Sequence, residues 1–345
     1  MTTGERVEGI DEQRVTRWFE ENAPEVSPPL RFDLITGGHS NLTFEVTDRS
    51  GHRWVLRRPP LGHVLATAHD MGREHAVISA LGPTPVPVPP VVGLCQDDDV
   101  NGAPFYVMGF VEGTVVRSGV EAAELTDEQR VRASQSIVDV LAEIHAVDVD
   151  AVGLGELGRK EGYIERQLKR WYGQWESSKT RELPVIDQVH DELSKRVPDQ
   201  GPATIVHGDY RLDNCMVQES GDIVAVLDWE ICTLGDPLAD LGLLMVYWAE
   251  PGDEHKVSGA PTAVPGFLSK QELLDGYAAA SGRDLSAIDF YTAFGYWKLA
   301  CIAEGVYARY IAGAMSSDGP PDGAEIFAQM VEVLGRLAAE RVEAL

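Results

Sequence analysis

The chain has 345 residues, 44% of them hydrophobic, and carries 29 basic against 55 acidic side chains, a formal net charge of −26. That length can support two substantial cores, and the negative balance excludes a nucleic-acid backbone as partner, because phosphate neutralisation needs clustered Lys and Arg. The acidic excess reads as a solvated, solubilising surface, with attraction of a cationic substrate as the other reading. No apolar run reaches the roughly 18 residues of a membrane span. The opening MTTGERVEGIDEQ has no apolar signal core, so a cytoplasmic protein with no membrane partner is expected. Cys95, Cys215, Cys232 and Cys301 are scattered without a CxxC pair and read as reduced, buried residues, which makes zinc an unexpected ligand.

In chain order, residues 11–22 read as an opening helix. Strands are expected at 31–36, 42–48 and 53–58, with Leu42, Phe44 and Val46 on one face and the turn DRSGH between the last two. A helix near 69–81 precedes GPTPVPVPP, whose prolines forbid a helix. Strands at 91–95 and 105–111 flank a loop, QDDDVNGAP, and complete a five-stranded lobe with one main helix. Beyond FVEGTVV the pattern turns helical. The capping box TDEQ at 126–129 opens a helix with Val131, Ile137 or Val138, Leu141 and Ile144 on its apolar face. Further helices are expected at 161–177, 236–249, 270–281, 286–314 and 322–345, and the Gly- and Pro-rich segment 250–268 as a mobile loop. In the last helix Phe327, Met330, Leu334, Leu337 and Leu345 form a stripe that reads as docking on its own lobe, although pairing in a dimer is the alternative; oligomeric state is left open.

Between these helices, ATIVH, NCMVQ and IVAVL read as short strands, with SGD turning the chain. This β-hairpin region, 204–228, places Asp209, Asn214 and Asp228 at strand ends. A lone Asp in a turn is ordinarily a turn residue, but three such groups fit phosphoryl transfer. That reaction needs a carboxylate to accept the hydroxyl proton, and an Asn and an Asp to hold Mg²⁺ against nucleotide phosphates. The smaller lobe supplies the other parts in kinase order. TGGHSN is a turn able to cover phosphates with backbone N–H groups, Arg57 in WVLR is a third-strand cation, and Glu74 on the next helix is its ion-pair partner.

With GGHSN, VLRRPP, MGFVEG, HGDYRLDN and LDWEICTLGDPLADL in place, the sequence resembles the aminoglycoside phosphotransferase-like family of small-molecule kinases, over about residues 30–310. Within it the chain is most similar to a subgroup that includes kinase domains fused to acyl-CoA dehydrogenases. The resemblance implies an α+β, protein-kinase-like, two-lobed fold: a helical extension at 1–29, an antiparallel lobe at 30–111 and a mainly helical lobe at 112–345 carrying the hairpin. It implies Asp209 as catalytic base, Asn214 and Asp228 as metal ligands, and Arg57 with Glu74 as the phosphate-positioning pair. Gly37, Gly38, Ser40 and Asn41 would belong to the nucleotide loop, and the backbone at Met108 to Phe110 would hydrogen-bond adenine. The implied cofactors are ATP and Mg²⁺, with GTP not distinguished from ATP, and the implied partner is a small molecule with a free hydroxyl.

Other residues of these motifs divide between structure and chemistry. His207 is read as orienting the loop, and Glu230 either as an indirect partner of a second metal or as a surface carboxylate. Asp236 is read as a helix cap with Pro237 at the first helical position, and Asp240 as structural. The aromatic stretch 290–310 is core, with one face available to line a substrate site. Gly208 after the loop His, DWE in place of Asp-Phe-Gly and the lack of a later Ala-Pro-Glu set the chain apart from protein kinases and argue against a peptide substrate. Arg57 stands where Lys is usual and is bulkier, though it binds phosphate bidentately. The competing readings are a nucleotide-binding protein without catalysis and a metal-dependent phosphatase, the latter disfavoured by the shortage of His ligands. For the acceptor, RKEGYIERQLKRWYGQWESSKTR at 159–181 carries seven Lys or Arg against three Glu. Arg166 and Arg170 would present a basic face to an anionic substrate, a hydroxy acid or hydroxyacyl thioester, as against an aminoglycoside or other antibiotic.

Overall fold

Asp11 accepts the Arg14 amide at 3.1 Å and caps α1 (Glu12–Asn22), which buries Val15, Trp18 and Phe19 at helical spacing. The structure, a computed structural model, describes residues 7–35, 41–61, 70–253, 259–313 and 322–345. The chain divides into two units, Met1–Thr114 with Val224–Cys232, and Val115–Ile223 with Thr233–Leu345.

The first unit continues with β1 (Arg31–Leu34), β2 (Leu42–Thr47), β3 (Arg53–Arg58), α2 (Met71–Leu81), β4 (Val91–Cys95), α3 (Asp98–Asn101) and β5 (Phe105–Gly109). The strands form one antiparallel sheet in the order β1-β2-β3-β5-β4. Register sets Phe44 opposite Leu56 and Val46 opposite Trp54. Phe44, Val46, Leu56, Phe105 and Val107 then share a core with Trp18 and Phe19, the Trp18 ring standing edge-on to Phe105 at 5.1 Å. The stretch expected as a loop, QDDDVNGAP, contains α3. Asp97 accepts the Asp99 amide at 2.9 Å, and Gly102 at φ +73° ends the turn. Segment 224–232 is tied into this unit by the Val226 amide on the Pro87 carbonyl at 2.8 Å and the Arg73 guanidinium on the Cys232 carbonyl at 2.7 Å.

The second unit opens with α4 (Gly119–Glu124) and α5 (Asp127–Ala146), each with a complete capping box, Ser118–Glu121 and Thr126–Gln129. Then come α6 (Tyr163–Ser178), α7 (Pro184–Lys195), β6 (Thr204–Val206), β7 (Cys215–Val217), β8 (Ile223–Val226, running out of this unit), β9 (Thr233–Gly235), α8 (Leu238–Tyr247), α9 (Lys270–Ser281), α10 (Ile288–Ile311) and α11 (Gly323–Glu343). Among the helices, α4 and α7 were not anticipated. The strand β6 pairs with β9, which was not anticipated, with Val206 opposite Thr233. The turn at 218–222 is present, closed by the Gln218 amide on the Asp222 carbonyl at 3.0 Å, with Gly221 at φ +88°.

Helix α10 is the axis of the second core, buried along most of its length and packed on α6, α8 and α11. Close approach to α8 depends on Gly242, where a Cβ would lie 2.5 Å from the Tyr291 carbonyl carbon. Gly242→Ala is therefore expected to destabilise by about 1–3 kcal/mol, the usual cost of overpacking. A fall in the urea midpoint at constant m-value would register it; an unchanged midpoint would show that the two helices are not so tightly constrained. Of the predicted C-terminal stripe, Leu334 is buried and Phe327, Met330 and Leu337 pack against this core, whereas Leu345 is exposed.

The segment expected to be a mobile loop, 250–268, is described at 250–253 and 259–268, and there it is anchored. The Thr262 hydroxyl donates to the Ala249 carbonyl at 2.9 Å, the Trp248 indole to the Leu268 carbonyl at 2.8 Å, and the Leu268 amide to the Ser134 hydroxyl at 3.1 Å. All four cysteines are buried and unpaired as disulfides. Among the described residues no helix is long and apolar enough to cross a membrane. The architecture is of the expected α+β class.

Candidate active site

In the second unit the loop after β6 is held by one buried carboxylate. Asp240, on the first turn of α8, accepts the His207 amide at 2.6 Å and the Gly208 amide at 2.8 Å. Burial alone would raise the Asp240 pKa, but the His145 hydrogen bond and the loop's donors outweigh it and hold the carboxylate below its usual range. His145 itself is pushed down by burial and so stays neutral, its Nδ1 2.7 Å from the Tyr277 hydroxyl. Gly208 sits at φ +89°, a conformation that a side chain would strain, which explains Gly after the loop His. The His207 ring is fully buried, and its Nδ1 accepts the Asp209 amide at 3.3 Å.

Asp209 follows and meets Asn214. The Asn214 amide group donates to the Asp209 carboxylate at 3.0 Å and to its backbone carbonyl at 2.8 Å. The one-turn 3₁₀ helix Leu212–Asn214 is what folds position 214 back onto 209. Arg211 Nε lies 3.5 Å from the same carboxylate, and its guanidinium covers the Tyr247 ring at 4.6 Å. Arg211 also pairs with Asp213 at 3.3 Å, opposing the upward push that burial gives that carboxyl. Lys298 of α10 donates to the Gly208 carbonyl at 2.9 Å.

In the first unit Arg57 is the centre of a second group. Its guanidinium lies 3.2 Å from Glu74, 2.6 Å from Asp228 and 3.9 Å from Glu230. Burial would lower the Arg57 pKa, but the facing carboxylates reverse that and fix the positive charge. Burial raises Glu74, and Arg57 counters it. Asp228 has φ +64°, an unusual backbone for a residue with a side chain, of the kind that clusters at functional sites. Glu230 accepts the Asn41 amide at 3.2 Å and is largely buried, so it is not a surface carboxylate.

Other expected residues fall differently. Gly37, Gly38 and Ser40 lie outside the described residues. In the segment Met108 to Phe110, expected to hydrogen-bond adenine through its backbone, the Gly109 amide bonds the Pro90 carbonyl at 2.7 Å and the Phe110 amide the Arg53 carbonyl at 3.2 Å. Asp236 accepts the Leu238 amide at 3.1 Å but sits one residue before the N-cap, which is Pro237, and its other oxygen takes the Tyr291 hydroxyl at 2.6 Å. Arg166 is spent on the Arg159 and Glu161 carbonyls, whereas Arg170 is exposed and lies over the Trp171 ring at 5.0 Å. Arg211, Tyr247 and Lys298 were not identified from sequence. Arg211 lies inside HGDYRLDN and could have been; Lys298 had only its charge within an apolar helix as a signal.

A five-stranded antiparallel sheet with an Arg–Glu pair, and a helical unit carrying an Asp–Asn loop, define the class of kinase-like phosphotransferases. Residues 31–291 match the phosphotransferase enzyme family, and the chain belongs to it. It is 33% identical over 302 residues to acyl-CoA dehydrogenase family member 11 of Homo sapiens, covering 86% of this chain and 38% of that protein. The chain spans less than half the length of the curated relatives it matches. The crystal structure of a candidate aminoglycoside phosphotransferase from Ralstonia eutropha is 32% identical, with a TM-score of 0.81 over 96% of this chain and 98% of that one. The GDP complex of aminoglycoside 2′-phosphotransferase-IIIa shares the fold at 13% identity, with a TM-score of 0.62 over 95% and 99%.

Proposed function

We propose that the chain is an ATP- and Mg²⁺-dependent kinase that transfers the γ-phosphoryl group to a hydroxyl of a small molecule. The observation that carries this reading is the Asp209–Asn214 pair, a carboxylate oriented by an amide inside a loop that Asp240 fixes. In this role Asp209 accepts the proton of the acceptor hydroxyl, and Asn214 keeps the carboxylate aimed. Glu74 holds Arg57, which positions phosphate oxygens.

The donor set fits the metal. Three carboxylates surround the single Arg57 guanidinium, leaving an excess of negative oxygen, and Asp228 is a hard oxygen ligand of the kind Mg²⁺ prefers, with Asn214 the second ligand that the family resemblance implies. When bound, the ion would neutralise charge developing on the phosphates. The use of a nucleotide is supported by family membership.

For the acceptor, Arg170 keeps the reading of an anionic substrate, and Arg166 drops out because its guanidinium is committed to carbonyls. ADP release from Mg²⁺·ATP with hydroxybutyrate, its CoA thioester and kanamycin tests both levels. Acceptor-dependent release establishes the kinase. Intact ATP binding with no release for any acceptor favours a nucleotide-binding protein instead. Arg170→Glu is expected to raise KM for the anionic acceptor about 10-fold, the worth of one charge-assisted hydrogen bond, and to spare KM for ATP. Turnover of kanamycin alone would overturn the anionic assignment.

A further inference from the structure

Lys298 is a buried lysine in the middle of α10, whose other buried residues are apolar apart from Thr292 and Glu304. Among the described residues it makes no ion pair; its one hydrogen bond is to the Gly208 carbonyl, and its Nζ lies 5.6 Å from the centre of the Trp171 ring. Desolvating a charge without pairing it is costly, and an apolar residue would pack as well in the core of α10. Packing therefore does not explain Lys here.

The carbonyl it holds explains it better. A peptide group is planar, so the Gly208 carbonyl and the Asp209 N–H turn together. Lys298 grips the oxygen of that plane at 2.9 Å, and His207 takes its N–H at 3.3 Å. The two preceding amides, of His207 and Gly208, are fixed by Asp240. The peptide that launches Asp209 is thus clamped at both ends, and only the Lys298 end brings a positive charge toward the Asp209 and Asp240 carboxylates. Burial lowers the Lys298 pKa, while those two carboxylates oppose the fall and Arg170 adds to it.

We infer that Lys298 is a positioning residue for phosphoryl transfer, orienting the Gly208–Asp209 peptide and so the base. This rests on the reading of Asp209 as base. It adds a residue on α10, distant in sequence, that neither the loop motif nor family membership assigns.

The test compares Lys298→Met, which keeps length and removes charge and donor, with Lys298→Gln, which keeps a donor. Four quantities are read on the full chain: ADP release from Mg²⁺·ATP with hydroxybutyryl-CoA and with water as acceptor, ATP affinity by calorimetry, Tm, and amide hydrogen exchange across 203–215. In Lys298→Met we expect kcat to fall about 100-fold, ATP affinity to stay within twofold, and Tm to stay within roughly 3 °C, because a buried charge contributes little net stability. Exchange at 207–209 should quicken at least about 10-fold while the rest of the unit keeps its protection, and Lys298→Gln should recover part of both effects. Unchanged loop exchange or wild-type kcat in Lys298→Met overturns the inference. So does a fall in Tm with faster exchange throughout the second unit, which would mark a merely structural lysine. If Lys298→Met does not fold, Lys298→Gln is read alone: a smaller loss of kcat with faster exchange at 207–209 is expected, and wild-type kcat or wild-type loop exchange overturns the inference. If the wild type releases no ADP with either acceptor, the kinase reading fails separately, and the exchange comparison still decides whether Lys298 fixes the loop.

Discussion

Asp209→Asn is expected to lower turnover by roughly 10²–10⁴-fold, the range for losing a general base, while leaving Mg²⁺·ATP binding close to wild type. The substitution keeps size and shape, so the contact from Asn214 survives as an amide–amide hydrogen bond, and the backbone of the loop remains on Asp240 and Lys298. What disappears is the proton acceptor. Arg211, 3.5 Å away, loses one of its two carboxylate partners but keeps Asp213. The carboxylate that could compete for the role is Asp213, which Arg211 holds at 3.3 Å and which burial makes more basic. Single-turnover kinetics separate the chemical step from nucleotide binding. Wild-type turnover in Asp209→Asn would move the base elsewhere, with Asp213→Asn the next variant to measure.

How much of this could be read from residues alone depended on whether the signal was local. The strand β2 alternates, α2, α5 and α9 carry a capping Asp, Thr or Ser, and their limits fell close to expectation. Where only three residues make a strand, as in β9, no periodicity exists to detect, and the pairing of β6 with it is a long-range choice. The helix α7 differs: Pro184 at its first turn and Ile186, Val189 and Leu193 on one face were available in the sequence. For the site, Asp209, Asn214 and Asp228 stand out because polar groups interrupt apolar runs. The contributions of Asp240 and Lys298 could not be seen the same way. A buried Asp on an apolar helix and a buried Lys on another become meaningful only when folding brings both to the backbone of 207–209.

Asp228 carries the other large expected effect. Replacing it by Asn should remove the Mg²⁺-dependent part of ATP affinity, at least about 100-fold, because a charged oxygen ligand and a neutral one differ by several kcal/mol at a hard divalent cation. Asn is the informative substitution, since the backbone at φ +64° tolerates Asn far better than a residue without a short polar side chain. Asp228→Ala should lose the same affinity and, in addition, about 1 kcal/mol of stability from the positive φ. A contact is lost as well, the 2.6 Å pair between Asp228 and Arg57, but Glu74 at 3.2 Å remains to hold the guanidinium. Arg57 should therefore still engage phosphate, and metal-free ATP should bind either variant as weakly as it binds the wild type in EDTA. Calorimetric titration of ATP with Mg²⁺ and with EDTA makes the comparison directly. If the difference between the two titrations is as large in Asp228→Asn as in the wild type, Asp228 does not hold the metal and its unusual backbone serves the Arg57 pair alone.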